Sequence, residues 1–275
     1  MSTANAFNFD HIALPFRMQP GLRRMEPGER HLHPLHDGSP LWAEKFAVHQ
    51  AGHALHGTPG FDATDAINSI AREDHSAPAC GGFDSKGPLA LQFCEDFAVL
   101  QADGSVPWLC VCTPSHWAPE EKVGLTLAQI HAPVADNATL LAATQAITRL
   151  VTSGASWERW VWTISPSNRY DQHPRRHART PWPNAADAQA FAQACWLRSE
   201  RQTFMPVHRA EGSLAAQAVF TIGVHLEPLT KAVNSPEKAQ RLHGSLASMS
   251  DAVLAYKGLG VARVPLLRWL ATQMG

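Results

Sequence analysis

The sequence lacks the features that mark a nucleic-acid-binding, membrane or secreted protein. Its 23 basic and 24 acidic residues leave a formal net charge of -1, so we expect no nucleic-acid or anionic-membrane partner. The first residues contain no basic segment followed by an apolar run, which argues against a secretory signal. No apolar stretch approaches the roughly 20 residues of a membrane span. We therefore expect a cytoplasmic protein.

Cysteine is scarce, and its placement argues against two kinds of redox centre. The chain has five cysteines, an odd number, and in a reducing compartment we expect free thiols. No run of four cysteines could hold an iron–sulfur cluster, and no Gly-x-Gly-x-x-Gly follows a predicted strand. If the protein is a redox enzyme, its electrons must come from another chain. The cysteines are Cys80, Cys94, Cys110, Cys112 and Cys195.

The stretch from Pro107 to Val134 is the most informative part of the sequence. It begins as a strand and is then predicted to form a helix over 119–131, with Ser115 as a possible cap. His131 lies at the far end of this helix, beyond a stripe of apolar residues, and Pro133 stops the helix. A histidine in this position could enter a buried cavity as a metal ligand.

The periodicity of apolar residues predicts an α+β protein with an antiparallel sheet. Strands lie apart from helices instead of alternating with them regularly, and no domain boundary is evident, so residues 1–275 are predicted to form one domain. The predicted helices cover 41–55, 61–73, 119–131, 138–151, 185–196, 237–257 and 261–273. The predicted strands form a hairpin over 95–112, which turns at Ala102-Asp103-Gly104, and continue at 160–165, 201–207 and 217–225.

Several strings of residues resemble the haem-dependent oxidative N-demethylase family, in its oxygenase alpha subunit. The longest is Pro-Ser-x-Trp-x-Pro-x-x-Lys-x-Gly from Pro114, followed by Ile-His-x-Pro-Val from Ile130. The others are Pro15-Phe16-Arg17, Gly21-Leu22-Arg23, Arg198-Ser199-Glu200-Arg201-Gln202-Thr203, Phe220-Thr221-Ile222 and Tyr256-Lys257-Gly258. The resemblance covers nearly the whole chain. It implies a PAS-like antiparallel sheet core over about 90–228, with helical additions at the N- and C-terminal ends.

The resemblance also implies an activity and its partners. The expected cofactor is haem b, and the expected reaction is the oxidative removal of a methyl group from a small secondary methylamine such as dimethylamine, which consumes oxygen and releases formaldehyde. A separate flavin or iron–sulfur reductase would supply electrons from NAD(P)H. A PAS-like sensor that binds haem or a small ligand without turnover is the alternative. A zinc hydrolase built on His49, His53 and His56, which share a predicted helical face, is a third hypothesis.

Two motifs supply the candidate site residues. His131 is the predicted proximal haem and iron ligand; the alternative is a hydrogen-bonded helix-end histidine, and His116 and His225 are the next ligand candidates. Alternation along a strand places Arg198, Glu200 and Gln202 on one face and Arg201 on the other. The first three are the predicted catalytic set, unless they serve an internal Arg–Glu pair. Lys122 and Arg201 are predicted to bind the cofactor, with a solvated position as the alternative for Lys122.

Two regions leave the activity open. The basic loop that contains His173, Arg175, Arg176, His177 and Arg179 could dock an acidic reductase or contact haem propionates, although a solvated surface is the default. The residues Trp157-Glu158-Arg159-Trp160, and Gly223 with His225, depart from what the family resemblance implies at those positions. This protein could therefore accept a different amine or perform no demethylation.

Overall fold

The computed structural model describes residues 7–75 and 87–275, and within them the chain forms one antiparallel sheet with helices packed against it. The strands are β1 (Arg23–Arg24), β2 (Leu55–Gly57), β3 (Asp96–Gln101), β4 (Trp108–Cys110), β5 (Trp157–Ser165), β6 (Trp196–His208) and β7 (Leu214–Pro228). Their order across the sheet is β1-β5-β6-β7-β3-β4-β2. The α+β prediction is therefore confirmed, whereas the PAS-like core and the single-domain extent stay predictions.

The helices are distributed unevenly along the chain. Of the described helices, four precede β5, one lies between β5 and β6, and four follow β7. They are α1 (Pro40–Gln50), α2 (Thr64–His75), α3 (Leu127–His131), α4 (Ala138–Val151), α5 (Ala188–Gln193), α6 (Leu229–Ala232), α7 (Pro236–Ala247), α8 (Asp251–Lys257) and α9 (Arg263–Thr272). Among these described helices, none has the length and apolar character required to cross a membrane.

The centre of the sheet is the long hairpin of β6 and β7. The two strands are 13 and 15 residues long and pair from Trp196 with Pro228 to His208 with Leu214. Side chains of successive residues point to opposite faces of a strand. We call the two faces of the sheet the Glu200 face and the Arg201 face, after neighbouring residues of β6.

The Glu200 face packs against α3 and α4. Phe204 of β6, Ala218 of β7 and Leu109 of β4 form an apolar cluster with Ile147 and Val151 of α4. Burial of aliphatic and aromatic groups on this scale stabilises the fold by roughly 25 cal/mol for each square ångström removed from water. The cluster ends before Glu200, so the polar part of β6 lies beside an apolar layer.

The Arg201 face is covered at both ends and polar in the middle. At one end Phe97 and Met205 pack with Ile70 of α2. At the other end Trp162 packs with the C-terminal helices, whose Trp269 is 1% exposed. The N-terminal segment crosses the polar middle of this face, between the two apolar clusters. The Arg201 face therefore has a polar middle between apolar ends, whereas the Glu200 face carries an apolar layer that ends before Glu200.

The predicted helix over 119–131 is wrong in its extent. Only Pro119–Glu121 forms a short 3₁₀ turn, and α3 begins at Leu127. Gly124 interrupts the helix because its φ of 83° is in the left-handed region, and its N–H donates to the carbonyl of Val106. Thr126 caps α3 through a capping box. Ser115 is consequently free to bind elsewhere.

The predicted helix over 41–55 is too long, and the zinc hypothesis fails with it. α1 ends at Gln50, and His56 belongs to β2, where it pairs with Leu109 of β4. The ring Nε2 of His56 donates to the carbonyl of His53 at 3.0 Å. The shared helical face of the three histidines therefore does not exist. Within residues 7–75 and 87–275, no cluster of metal-ligating side chains is present.

The boundaries of other helices in the structure also differ from the predicted ones, by a few residues or by a whole turn. The predicted helix over 237–257 is two helices, because Ser250 caps α8 by accepting from the N–H of Val253 at 3.2 Å. The predicted helix over 185–196 shortens to α5, because Trp196 already belongs to β6. The hairpin of β3 and β4 is confirmed. The four described cysteines are free thiols, as predicted; Cys80 lies outside the described residues.

Candidate functional site

Glu200 lies near the middle of β6, where protein donors hold both of its carboxylate oxygens. The hydroxyl of Ser115 donates to Oε1, and Nε2 of Gln202 donates to Oε2 at 2.7 Å. Val161 of β5 and Val224 of β7 flank Glu200 across the sheet. The carboxylate is half-buried and accepts two hydrogen bonds, so its orientation is fixed before any ligand binds.

Arg198 lies on the same face as Glu200 and is 2% exposed. Its Nε donates to the Ser115 hydroxyl oxygen at 2.8 Å, while Nη2 donates to the carbonyls of Thr113 and Tyr170 and Nη1 to the carbonyl of Arg169. Burial lowers the pKa of its guanidinium, and the carboxylate of Glu200 raises it. Arg198 therefore connects two loops to the sheet and positions Glu200 through Ser115.

Arg159 is a site residue that the sequence reasoning did not select. It lies on β5 opposite Gln202 and so shares the face of Glu200. Its Nε is shielded from solvent and has no hydrogen-bond partner within the described part of the chain. Burial lowers the pKa of this guanidinium, and Glu200 raises it. The signal in the sequence was an arginine that strand alternation places on the same face as Trp157 and Val161 of β5.

Lys257 is the second residue that the sequence reasoning did not select, although it belongs to the Tyr256-Lys257-Gly258 string. Its ammonium donates to the carbonyl of Trp162 at 2.8 Å and lies 5.6 Å from the ring centroids of Phe16 and Trp162. Burial lowers the pKa of Lys257 to about 8; Glu200 raises it and Arg159 lowers it further. Lys257 therefore approaches Glu200 from the edge of β5.

The end of α8 fixes the position of Lys257. Gly258 follows it with a φ of 66°, in the left-handed region that terminates many helices. The indole Nε1 of Trp182 donates to the carbonyl of Gly258 at 2.9 Å. A Cβ at position 258 would meet only the end of the exposed Arg179 side chain, which can move away, so the left-handed φ is what favours glycine here.

His131 is the last residue of α3, and its imidazole is held by one ring nitrogen only. Its Nδ1 donates to the carbonyl of Leu127 at 2.8 Å, and Nε2 makes no hydrogen bond to any residue that the structure describes. Burial lowers the pKa of His131, the bond to Leu127 raises it, and Arg159 and Lys122 lower it. The imidazole is therefore neutral at neutral pH and has a free lone pair, the state that a metal-ligating histidine requires.

Apolar side chains surround the region near His131 and Glu200. Trp117, Leu127, Ile130, Trp157 and Phe220 pack against the buried cluster of the Glu200 face but are themselves only partly buried. Large apolar side chains that are partly exposed are typical of a site for an apolar ligand or cofactor. We call this region, where α3 and α4 face the Glu200 face of the sheet, the Glu200 compartment.

The remaining predicted cofactor ligands are divided between the two faces. Lys122 is half-buried and close enough to His131 to lower its pKa. Arg201 lies on the opposite face, where its Nε donates to Glu158 of β5 at 2.5 Å. It is thus one half of an internal ion pair, and the sheet separates it from His131. Its predicted contact with a cofactor near His131 stays untested, and the geometry favours a structural role.

The Arg201 face carries a polar network of its own. His31 is hydrogen-bonded to Thr203 and Ser156, each at 3.0 Å, and burial lowers its pKa to about 4. His225 packs against the ring of Trp160 at 5.6 Å, and burial likewise lowers its pKa to about 4. His225, an alternative ligand in the sequence analysis, is therefore on the other side of the sheet from His131.

A surface cleft of about 420 Å³ opens at the edge of β5. Its lining includes Thr163 of β5, Lys257, Arg179 and His116. His116 has a left-handed φ of 61°, and burial together with Arg179 and Arg198 lowers its pKa to about 4. Because His116 follows Ser115 directly, the cleft lies next to the hydrogen bond that holds Glu200.

The basic loop is largely neutralised within the chain. His173 donates to Glu120 at 3.0 Å, and Arg175 pairs with Glu120 and Glu121. Arg176 and His177 both bind Asp171, at 2.8 and 3.0 Å. Opposite charges that lie this close together largely cancel each other's field at a distance. Arg179, which is exposed and forms no ion pair among the described residues, is the part of the loop whose charge is not compensated in this way.

The chain matches the model of a known protein family. Residues 68–267 match the family described as "Haem-dependent oxidative N-demethylase, alpha subunit-like". The matched residues include α3, β5, β6 and α8, and thus His131, Arg159, Glu200 and Lys257.

Proposed function

The chain belongs to the haem-dependent oxidative N-demethylase alpha subunit-like family, and from this premise we propose that it is the haem b-binding oxygenase subunit of a cytoplasmic N-demethylase. The family name itself indicates haem dependence, an oxidative demethylase-like activity and a multi-subunit assembly. The proposed reaction removes a methyl group from a small secondary methylamine. A carbinolamine product would collapse to formaldehyde and the shorter amine.

The observation that carries the proposal is the pairing of His131 with the Glu200 compartment. His131 has Nδ1 fixed by the carbonyl of Leu127 and Nε2 without a hydrogen bond to any described residue, so this imidazole would hold the iron of a haem through Nε2. Partly buried aromatic and aliphatic side chains line the compartment. These residues fit a flat, apolar group with anionic edges, since the cations Lys122 and Arg159 lie within electrostatic reach of His131.

Haem, when bound, would supply the oxidation of the N-methyl group. The chain supplies binding, orientation and charge. The carboxylate of Glu200 would pair with the ammonium of the amine, and this pair would be strongest where water is excluded by the apolar walls. Ser115 and Gln202 hold Oε1 and Oε2 in place, and Arg198 holds Ser115. The ammonium would therefore meet a carboxylate that requires little reorganisation.

Electrons for the reaction would come from a second protein. The sequence contains neither a cysteine run for an iron–sulfur cluster nor a dinucleotide fingerprint. We therefore propose a separate flavin or iron–sulfur reductase that uses NAD(P)H. Its docking surface is not the basic loop alone, because Arg175 and Arg176 of this loop are already paired with Glu120 and Asp171.

A second candidate function is a PAS-like sensor that binds haem or a small ligand without turnover. One observation favours it: Arg159 and Lys257 both lie within electrostatic reach of Glu200. Two cations near the carboxylate oppose the binding of a simple dialkylammonium ion. The sensor would bind oxygen stably and release no product.

Two measurements test these functions together. The chain is purified after haem supplementation and its absorption spectrum is recorded; a Soret band is expected, and its absence would remove both haem functions. The haem-loaded protein is then mixed with an NADPH-dependent flavin reductase and dimethylamine or another small methylamine. Release of formaldehyde supports the demethylase, whereas stable oxygen binding without formaldehyde supports the sensor.

A further inference from the structure

The Glu200 compartment contains more positive than negative charge. Arg159 and Lys257 lie close enough to Glu200 for its carboxylate to raise the pKa of each. Neither cation belongs to any ion pair formed among residues 7–75 and 87–275. Each oxygen of Glu200 accepts one hydrogen bond, from Ser115 or from Gln202, and keeps a second lone pair that could accept from a ligand ammonium. The two cations are thus without a counter-ion of their own.

The lack of a partner for Arg159 is seen at its Nε atom. Its Nε is shielded from solvent and has no acceptor within the described residues, an arrangement that is costly for a buried donor. β5 is paired along its length with β6, so the Cα of Arg159 is fixed opposite Gln202. A guanidinium offers a planar fork of donors whose geometry matches a carboxylate. The missing partner of Arg159 is therefore a planar oxyanion.

Lys257 lies at the adjacent edge of the sheet, and its ammonium has N–H groups that bond no acceptor among the described residues. Among the described residues one acceptor, the carbonyl of Trp162, binds its ammonium, which has three N–H groups. Beyond Glu158, the outer edge of β5 has no partner strand among the described residues, since β1 pairs only with residues 157 and 158. Lys257 also lines the 420 Å³ cleft at this edge. A solute that enters the cleft can therefore reach Lys257.

We propose that Arg159, on the Glu200 face, and Lys257, at the adjacent edge of β5, form a carboxylate-binding pair beside Glu200. Two sources of the carboxylate share this chemistry. One is the substrate, which would then be an N-methylamino acid whose ammonium binds Glu200 and whose carboxylate binds Arg159 and Lys257. The other is a propionate of the haem. The position of Lys257 in the cleft favours the substrate, and this assignment rests on the proposed demethylase function.

The experiment compares two ligands of equal size that differ in charge. N-methylglycine carries a carboxylate where N-methylisobutylamine carries an uncharged isopropyl group. Their affinities for the haem-supplemented protein are measured by isothermal titration calorimetry, and haem content is measured as the pyridine haemochrome. The variants are Arg159→Gln, Arg159→Lys, which keeps the charge but loses the fork, and Lys257→Met. Arg149→Gln, at an exposed position of α4, is the matched control.

With a substrate carboxylate, Arg159→Gln and Lys257→Met weaken binding of N-methylglycine by about tenfold or more, do not weaken binding of N-methylisobutylamine, since a cation that repels its ammonium is removed, and retain haem. Arg159→Lys gives a smaller loss. With a propionate, the same variants lose haem and the two ligands bind with equal affinity. Unchanged haem content and unchanged affinities in both variants would overturn the carboxylate pair. Calorimetry does not depend on turnover, so a variant-sensitive preference without formaldehyde release would remove the demethylase function and leave the pair standing.

Discussion

The hydroxyl of Ser115 donates to the carboxylate of Glu200, which lies 85 residues further along the chain. The same hydroxyl oxygen accepts from Nε of Arg198 at 2.8 Å. Ser115 thus links the buried guanidinium of Arg198 to the carboxylate of Glu200. The loop after β4, which carries Ser115, therefore orients the Glu200 carboxylate on β6.

The first prediction concerns this relay. We expect Ser115→Ala to lower the free energy of unfolding by roughly 1–3 kcal/mol, because Nε of Arg198 loses its acceptor in a buried position. Amine binding should weaken as well, since Oε1 of Glu200 is no longer oriented. Denaturant unfolding and calorimetry measure the two effects. Ser153→Ala, at an exposed serine that bonds only the carbonyl of Leu150, is the control and should change neither; an unaltered Ser115→Ala protein would show that the relay has no energetic role.

The second prediction concerns the charge of Glu200. We expect Glu200→Gln to retain haem at nearly the wild-type level and to weaken amine binding by about tenfold or more, because the ammonium loses its counter-ion while the side chain keeps its shape. Haem content and calorimetric affinity are measured on the same preparation. Glu227→Gln, at an exposed position of β7, serves as the control. Loss of haem with an unaltered amine affinity would instead assign Glu200 a structural role.

The third prediction concerns His131. We expect His131→Ala to fold but to lose stable haem binding, because the axial imidazole is removed while Pro133 and the capping box at Thr126 still define α3. Added imidazole should partly restore a low-spin spectrum if the cavity is preserved. His49→Ala, at another helix-end histidine, is the matched control. Full haem content and an unchanged Soret band in His131→Ala would exclude this residue as the ligand and move the search to His116 before His225.

The fourth prediction concerns acid stability. Burial, with a further contribution from Arg201, lowers the pKa of His31 from 6.5 to about 4; Glu95 and Glu29 oppose the shift. Because the folded-state pKa is the lower one, the unfolded chain binds more protons between these two values. The free energy of unfolding therefore falls as pH falls through this window, by about 3 kcal/mol for a shift of this size.

The measurement compares His31→Gln with wild type by denaturant unfolding from about pH 7 to about pH 4. Glutamine can bond Thr203 or Ser156 but cannot titrate, so the variant should lose less stability over this range. His36→Gln, at an exposed histidine, should follow the wild-type curve. Parallel curves for wild type and His31→Gln would show that His31 titrates equally in the folded and unfolded chain.

Some features of the site could be predicted because they follow from local periodicity. A strand alternates its side chains, and this places Glu200 and Arg201 on opposite faces in any sheet that contains β6. The hairpin of β3 and β4 follows from its turn residues, and the end of α3 at His131 follows from the sterics of Pro133. These features need no knowledge of distant residues.

Other local patterns misled because a competing local signal was stronger. The apolar stripe over 119–131 suggested one helix, but the left-handed Gly124 interrupts it and Thr126 starts α3 anew. The three-histidine face failed because α1 ends at Gln50 and His56 belongs to β2, which pairs with β4. Sheet pairing of this kind depends on a partner strand about fifty residues away, and the periodicity of one segment does not contain it.

The sequence by itself therefore determined the α+β class, the antiparallel hairpins and the division of Glu200 and Arg201 between two faces, since these depend on backbone sterics and side-chain alternation. The tertiary structure decided that Ser115 holds Glu200, that Arg159 is left without an acceptor and that Lys257 reaches the edge of β5, 95 residues from its Trp162 partner. Each of these depends on which groups meet after distant segments pack, and the energy of a buried charge is set by those neighbours, not by its own residue type.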